Sequence, residues 1–183
     1  MAPPLHHSSL LLVLNWIAMN HDLYSDSYLR RILRETKTLA MVGASANWNR
    51  PSHFAMKYLQ TKTYRVIPVN PGQAGKTILG ETCYARLADI PETFDLVDIF
   101  RNSQAAGAIV DETIALKQAK GIRTVWMQLG VRNDAAAARA EAAGLQVVMD
   151  RCPKIEFGRL NAELSWGGFN SGIISSKRRK LGA

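Results

Sequence analysis

The sequence predicts an α/β protein built on one sheet of mainly parallel strands. Short apolar segments alternate five times with helical segments over short links, which is typical of a parallel sheet covered by helices. The apolar segments are continuous rather than alternating, as expected for strands buried on both faces. With 183 residues, of which 47% are hydrophobic and 21% charged, the chain has the composition of a folded domain with one well-packed core.

The elements follow in chain order from turn residues, helix caps and apolar runs. Glycine after a periodic segment ends it, while Ser, Asn, Asp or Pro before such a segment begins a helix. These signals predict helices at residues 28–35, 51–60, 104–120 and 135–143 and from Pro153, and strands at residues 39–42, 65–70, 95–101, 123–128 and 146–149.

Side chains that can accept the first free N–H groups mark the start of three helices. The candidates are Ser25 or Asp26, Asn102 or Ser103, and Asn133 or Asp134. The other two helices begin at Pro51 and Pro153, because proline is favoured at the first helical position.

Helical spacing also predicts which side chains of two helices face the sheet. In the helix at 51–60 the buried side consists of Phe54, Ala55, Tyr58 and Leu59. In the helix at 104–120 it consists of Ala105, Ala108, Ile109, Leu116 and Ala119.

The second strand contains Pro68, which cannot donate a hydrogen bond to a neighbouring strand. We therefore expect this strand to be irregular or near an edge of the sheet. The segment from 73 to 93 is predicted to be mostly connection, with Gly75 and Gly80 as turn signals and a short helical turn at 85–89.

Right-handed crossovers between parallel strands favour a single three-layer, Rossmann-like domain with the strand order 3-2-1-4-5. In such a sheet the ligand-binding loops gather at the carboxyl ends of the strands.

The chain divides into three parts. Residues 20–160 form the predicted domain, and residues 161–183 form a Gly- and Ser-rich basic tail. Residues 1–19 are predicted to be an extension, with Met19 as the natural start. A signal peptide over the apolar run at 10–14 is the alternative, but this run is far too short to span a bilayer, and no membrane partner is expected.

The net charge of +8 is concentrated at one end of the chain, since four of the positive charges come from the run Lys177 to Lys180. Such terminal runs are usually solvated tails, so nucleic-acid binding rests on this run alone. The remaining moderate excess suits a ligand rich in phosphate.

Two cysteines, Cys83 and Cys152, are too few for a disulfide scaffold, so a cytoplasmic location is expected. Neither belongs to a CxxC pair, which argues against a metal site. The sequence makes no prediction of the oligomeric state.

The segment from Gly43 to Pro51 predicts an anion site. Gly43 follows a buried strand, where it leaves room for a ligand. A helix that begins at Pro51 directs its free N–H groups and its dipole at the end of that strand. With Arg50 at the entrance, the expected ligand carries phosphate.

A nicotinamide dinucleotide fits these residues poorly. The G-x-G-x-x-G fingerprint would place glycines where Ser45 and Trp48 stand, and an acid is expected at the end of the second strand, where the chain has Asn70 and Pro71.

Five motifs follow one another at the predicted strand ends, and together they are specific although each is common alone. They are Val42-Gly-Ala-Ser45 with Arg50-Pro51-Ser52, Pro68-Val-Asn-Pro71, Asp98-Ile-Phe-Arg101, Val125-Trp-Met-Gln128 with Gly130, and Arg151-Cys-Pro-Lys-Ile-Glu156. Over residues 29–160 the chain thereby resembles the stand-alone CoA-binding proteins, which are related to the CoA-binding domain of the succinyl-CoA synthetase alpha subunit.

The resemblance implies a Rossmann fold that binds coenzyme A, or an acyl-CoA, through its ADP portion, with no established reaction. The implied cofactor-binding residues are Gly43, Ala44, Ser45 and Arg50 at the phosphates, Asn70 and Pro71 beside the nucleotide, Phe100 and Arg101 closing the site, and Gln128 and Cys152 at the last two strand ends.

The residues themselves leave structural alternatives open. Arg50 is also compatible with an exposed helix start, and Arg101 with an ion pair to Asp98 or Glu112. Phe100 suits the core as well as a ligand wall, and Trp126 is expected in the core.

We expect the protein to bind its ligand without catalysing a reaction. The synthetases related to this family use a histidine on a second domain, whereas this chain has no histidine after His53. Neither a Ser-His-Asp arrangement nor paired carboxylates occur. An NAD(P)-dependent oxidoreductase and a nucleotide-sensing regulator are the alternatives.

Cys152 carries a separate hypothesis. Its position at a helix start beside Arg151 and Lys154 predicts a lowered thiol pKa and a mixed disulfide with the CoA thiol. A buried, apolar cysteine is the alternative.

Overall fold

A computed structural model describes residues 19–161, so most of the predicted N-terminal extension and of the basic tail lies outside the described residues. The described chain contains five α-helices, seven strands and two single-turn 3₁₀ helices. In chain order they are α1 (Asp26–Glu35), β1 (Thr38–Val42), α2 (Pro51–Thr61), β2 (Arg65–Val69), a 3₁₀ turn (Pro71–Gln73), β3 (Thr77–Ile78), β4 (Glu81–Thr82), a 3₁₀ turn (Leu87–Asp89), β5 (Leu96–Ile99), α3 (Ser103–Lys120), β6 (Thr124–Met127), α4 (Asp134–Ala142), β7 (Gln146–Val148) and α5 (Pro153–Leu160).

The α/β fold with a five-stranded parallel sheet is confirmed, but the predicted strand order is wrong. The sheet runs β2-β1-β5-β6-β7, which is 2-1-3-4-5 for the five predicted strands rather than 3-2-1-4-5. The third strand pairs with β1, through Leu39 and Leu96 among others, and not with β2.

Pro68 explains this order. Its carbonyl oxygen accepts a hydrogen bond from the Tyr84 N–H at 3.0 Å, on the side of β2 that faces away from β1. The nitrogen of Pro68, which carries no hydrogen, therefore also faces away from β1. No strand of the five-stranded sheet lies on that side to accept a hydrogen bond from it. A strand that contains proline is tolerated at an edge and not between two partners, so β5 occupies the free side of β1.

Each face of the sheet packs against helices, because successive side chains of every strand point to opposite faces. One core layer contains Leu39, Met41 and Trp126 together with buried residues of α1 and α2. The other contains Ala40, Val97 and Val125 together with buried residues of α3 and α4. The three layers place the carboxyl ends of the five strands along one rim of the domain.

The predicted connection after β2 contains a small hairpin that the sequence did not reveal. Strands β3 and β4 pair antiparallel, and Leu79 and Gly80 between them have φ angles of 47° and 86°. Two-residue turns of this kind require positive φ at both positions, which Gly80 provides at low cost.

The buried side of α3 differs from the prediction. Ala106, Val110 and Thr113 are buried, whereas none of the five predicted residues is. Small and apolar side chains occur all around this helix, so its sequence lacks a polar face that would fix its rotation.

Candidate coenzyme A site

Two cavities open at the carboxyl ends of the strands, and Arg101 lines both. The first cavity, of about 450 Å³, includes Gly43, Asn70 and Pro71 at the ends of β1 and β2. The second cavity, of about 600 Å³, includes Gln128 after β6 and Cys152 before α5. Both volumes lie in the range of ligand pockets. A third cavity, of about 340 Å³ and lined by α1 and α5, contains no predicted site residue.

Seven of the ten predicted site residues line the two cavities. Gly43, Asn70 and Pro71 lie in the first, Phe100, Gln128 and Cys152 in the second, and Arg101 in both. Ala44, Ser45 and Arg50 line neither, although they belong to the loop that joins β1 to α2.

Gly43 is required by the protein backbone itself. Its φ is +91°, and a Cβ at this position would lie 2.6 Å from the carbonyl oxygen of Phe100. It would also lie 3.1 Å from the Cδ of Arg101. The absence of a side chain at Gly43 therefore lets the ends of β1 and β5 approach each other and positions Arg101 between the cavities.

Asn70 joins the loops that follow β1 and β2. Its Nδ2 donates to the carbonyl oxygen of Ala44 at 2.7 Å, and its Oδ1 accepts from the N–H of Gly72 at 3.0 Å. The Ala44 side chain is fully buried, so Ala44 contributes to the core and through its carbonyl to this contact. These hydrogen bonds fix the floor of the first cavity.

The loop from Ser45 to Arg50 is held by hydrogen bonds within the loop and to neighbouring side chains. The N–H of Asn47 donates to Ser45 Oγ at 3.2 Å, and the N–H of Ala46 donates to Oε1 of Gln73 at 2.9 Å. A ring nitrogen of His53 lies 3.2 Å from the Ser45 carbonyl oxygen. The loop is therefore organised before any ligand binds.

The two helices that begin at the second cavity lack side-chain caps. Ser25, Asn102 and Asn133 cap α1, α3 and α4, each one of the predicted candidates. No side chain caps α2 or α5, which begin at Pro51 and Pro153. Without a side-chain cap, the starts of α2 and α5 attract an anion through the dipoles of both helices.

Cationic side chains surround the two cavities. Neither Arg50 nor Arg101 forms an ion pair with any residue from 19 to 161, and both are exposed. Lys154 lines the second cavity, and Arg86 lines the first while it pairs with Asp89 at 2.9 Å. The acid in the lining of the first cavity is Glu112, whose Oε1 accepts from the N–H of Ala88. This excess of positive charge suits phosphate.

The structural alternative for Arg101 does not apply, because among residues 19–161 no ion pair joins Arg101 to Asp98 or to Glu112. Glu112 accepts from the Ala88 N–H instead, and Asp98 has another partner. Asp98 is fully buried, and both its carboxyl oxygens accept from Nε2 of Gln128, at 2.9 and 3.1 Å. Burial raises the pKa of Asp98 to about 8, and the Gln128 hydrogen bond opposes this shift. Arg101 is therefore left free to meet a ligand.

The prediction that the thiol pKa of Cys152 is lowered is wrong. Burial raises the pKa of Cys152, although the N–H groups of Ile155 and Lys154 act to lower it. Only 8% of this residue is exposed, so the loss of solvent outweighs the helix start. Cys152 forms part of the cavity wall as a neutral thiol.

The last motif has mainly a structural role. Glu156 is buried and pairs with Arg159 at 2.8 Å, and Arg159 also pairs with Asp26 on α1 at 2.7 Å. The fully buried Trp126 donates from its ring N–H to the Arg151 carbonyl oxygen at 2.8 Å, which confirms its predicted place in the core. These contacts hold the start of α5 at the second cavity.

Sequence reasoning missed three contributions to the site. Phe54 is 48% exposed and lines the second cavity, whereas Ala55 and Leu59 of the same predicted face are buried. Arg86 carried no signal, since it lies in the connection after the hairpin. Asp98 did carry a signal in the sequence, because a charged residue within an apolar strand is rare unless it has a partner.

Within residues 19–161, no helix is long and apolar enough to cross a membrane. The same residues contain no cluster of three or more His, Cys, Asp or Glu side chains that could hold a metal ion.

Comparison with known proteins agrees with this architecture. Residues 37–158 match the CoA-binding domain family. A protein of Bacillus subtilis (strain 168) described as uncharacterized protein YneT is 30% identical over 131 residues, which is 72% of this chain and 93% of that protein. A solved structure of a hypothetical protein from Pyrococcus horikoshii OT3 is 35% identical with a TM-score of 0.70, covering 79% of this chain and 97% of its own. A structure from Thermus thermophilus is 37% identical with a TM-score of 0.70, covering 75% and 99%.

Proposed function

The chain belongs to the CoA-binding domain family, and from this premise we propose that it binds coenzyme A or an acyl-CoA through the ADP moiety at the carboxyl ends of the parallel strands. The observation that carries the proposal is the pair of cavities that share Arg101, an exposed guanidinium with no ion pair in residues 19–161. Coenzyme A has the matching arrangement, with phosphates between a nucleoside and a long, mostly apolar arm.

The first cavity suits the nucleotide. It is bounded by the rigid contact between Asn70 and Ala44 and by the backbone around Gly43, where a larger residue would collide with Phe100. Polar groups fixed in this way can hold a nucleoside without reorganising.

The second cavity suits the pantetheine arm. Its lining includes the apolar side chains of Phe54, Leu129, Val131 and Ile155, and the uncapped starts of α2 and α5 border it. An apolar wall with few polar groups is typical of a site that buries an uncharged ligand segment. The phosphates would then lie between the cavities, beside Arg101.

We propose binding without catalysis. Cys152 has a raised thiol pKa because it is buried, which disfavours the thiolate that nucleophilic chemistry needs. His53 contacts the Ser45 carbonyl oxygen, so its ring contributes to the loop structure. The predicted cytoplasmic location stays a prediction.

The test is a calorimetric titration of the protein with CoA, acetyl-CoA, ATP, NADH and NADPH. CoA is expected to bind more tightly than the dinucleotides, and Arg101→Gln is expected to weaken CoA about tenfold. This corresponds to the loss of one charge-assisted hydrogen bond of about 1.4 kcal/mol.

Arg34→Gln is the matched control, because Arg34 is exposed on α1 and its loss changes the net charge by the same amount. The control is expected to bind CoA normally. Failure of the wild-type protein to bind CoA, or an equal loss of CoA affinity in both variants, would contradict the proposal.

An NAD(P)-dependent oxidoreductase is the alternative that the same titration separates. At the end of β2 the dinucleotide enzymes need an acid for the ribose hydroxyls, but here Asn70 occupies this position with both side-chain polar atoms already bonded. Tighter binding of NADH or NADPH than of CoA would favour this alternative. A regulator that senses another nucleotide would instead respond most strongly to ATP.

A further inference from the structure

The side chain of Gln128 lies at the wall of the second cavity with every polar group but one already bonded. Its backbone N–H donates to the Ile99 carbonyl oxygen at 3.3 Å, and its carbonyl oxygen accepts from the Val131 N–H at 2.8 Å. Its Nε2 lies 2.9 and 3.1 Å from the two carboxyl oxygens of Asp98. The remaining group is Oε1.

The Oε1 atom of Gln128 is accessible. No donor in residues 19–161 bonds to it. No buried side-chain oxygen or nitrogen in those residues lacks a partner, so Oε1 is not enclosed by protein. Because Gln128 lines the second cavity while only 5% of the residue is exposed, this oxygen faces the cavity.

Asp98 determines which end of the amide faces the cavity. A carboxyl group accepts a hydrogen bond in its ionised form and also, through its carbonyl oxygen, in its neutral form. The structure directs Nε2 at both carboxyl oxygens of Asp98, so Gln128 presents Oε1, an acceptor, to the cavity. Asp98 itself is fully buried in β5, so its position is fixed by the sheet.

The surroundings make this acceptor selective. Phe54, Leu129, Val131 and Ile155 line the same cavity and exclude water from a bound ligand. In such surroundings a hydrogen bond is stronger than in water, and an acceptor left unpaired by a ligand is costly. The site therefore favours a ligand segment that is largely apolar but carries a hydrogen-bond donor.

We propose that Gln128 is a specificity-determining residue, whose Oε1 accepts a hydrogen bond from an amide N–H of the pantetheine arm, and that Asp98 is the positioning residue that orients it. This inference rests on the proposed binding of coenzyme A. The pantetheine arm carries two amide N–H donors that are separated by apolar methylene groups, which matches the wall of the cavity.

The test compares the affinities of CoA, acetyl-CoA and 3′,5′-ADP, which lacks the arm. Gln128→Met keeps the size of the side chain and removes the acceptor. It is expected to weaken CoA and acetyl-CoA about tenfold each, as one hydrogen bond to a neutral donor predicts, and to leave 3′,5′-ADP unchanged. Unchanged CoA affinity, or an equal loss for 3′,5′-ADP, would overturn the inference.

Gln128→Asn provides a second variant if the methionine disturbs folding, because it withdraws the amide by one methylene. The same selective loss is expected. Normal binding of 3′,5′-ADP in either variant also demonstrates that the fold is intact.

Variants of Asp98 separate positioning from general structural support. Asn at this position still accepts from Nε2, so Asp98→Asn is expected to retain CoA affinity within about twofold. Asp98→Leu removes the acceptor and is expected to lose CoA affinity as Gln128→Met does, with 3′,5′-ADP retained. If Asp98→Asn and Asp98→Leu bind CoA alike, Asp98 does not orient Gln128.

The outcomes also distinguish this inference from the proposed function. A wild-type protein that binds neither CoA nor 3′,5′-ADP refutes both. A wild-type protein that binds CoA, with variants of Gln128 that bind it equally well, refutes the inference alone.

Discussion

The buried carboxyl of Asp98 should make the stability of the protein fall as the pH rises. Asp98 is fully buried in β5, and burial raises its pKa from 3.8 to about 8. Between these two values the folded protein keeps a proton that the unfolded chain releases. The stability associated with this proton is fully present below about pH 4 and is lost as the pH rises through about 8.

The size of the effect follows from the difference of one proton. One proton more in the folded state lowers the free energy of unfolding by about 1.4 kcal/mol for each pH unit. From pH 5 to pH 7 the loss that Asp98 causes is therefore about 3 kcal/mol. Asp98→Asn cannot ionise, so its stability relative to wild type should rise by this amount over the same interval.

Urea unfolding at pH 5, 6 and 7 measures this difference directly, since all other ionisable groups are common to both proteins. Asp134→Asn is the control. Hydrogen bonding to Arg132 lowers the pKa of Asp134, so this carboxyl is ionised in both states above pH 5, and its effect on stability should not change with pH. Parallel stability curves for Asp98→Asn and wild type would refute the argument, because they would mean that Asp98 is ionised within the folded sheet.

Two further predictions concern the packing around the site. Gly43→Ala should destabilise the protein by about 2 kcal/mol or more and weaken CoA binding, because its Cβ would lie 2.6 Å from the Phe100 carbonyl oxygen. Gly75→Ala measures the cost of positive φ alone, because Gly75 has a φ of +80° and nothing lies within 4 Å of its Cβ. If urea unfolding shows equal losses of stability for Gly43→Ala and Gly75→Ala, a collision of the methyl group introduced by Gly43→Ala with Phe100 is excluded. Glu156→Gln should cost about 2 kcal/mol by weakening the buried pair with Arg159, measured by urea unfolding at pH 7, and an unchanged midpoint would show that the pair contributes nothing.

Most of the elements could be predicted because their signals are local. Ser25, Asn102 and Asn133 cap helices through backbone N–H groups three residues away, so the sequence alone identified them. Proline at the first position marked α2 and α5, and continuous apolar runs marked the five parallel strands. The same reasoning placed loops with Gly43, Asn70 and Arg101 at strand ends, where the two cavities lie.

The strand order was predictable only in part. Pro68 correctly indicated an edge strand, whereas the predicted order 3-2-1-4-5 places this strand between two others. The pairing of β1 with β5 joins segments more than fifty residues apart. No local pattern determines such a pairing. It depends on which strand still has a free edge once Pro68 has excluded the outer edge of β2.

The sequence by itself thus determined the α/β fold class, the helix starts and the loops that carry the site, since periodicity, caps and turn residues act over a few positions. Only the tertiary structure decided the environment of each site residue. The contact between Asp98 and Gln128 spans thirty positions of the chain, and it leaves Arg101 unpaired between the cavities. Cys152 has the neighbours of an activated thiol in sequence, but burial by distant residues raises its pKa. Burial sums contributions from the whole fold, and this is why it could not be inferred from neighbours along the chain.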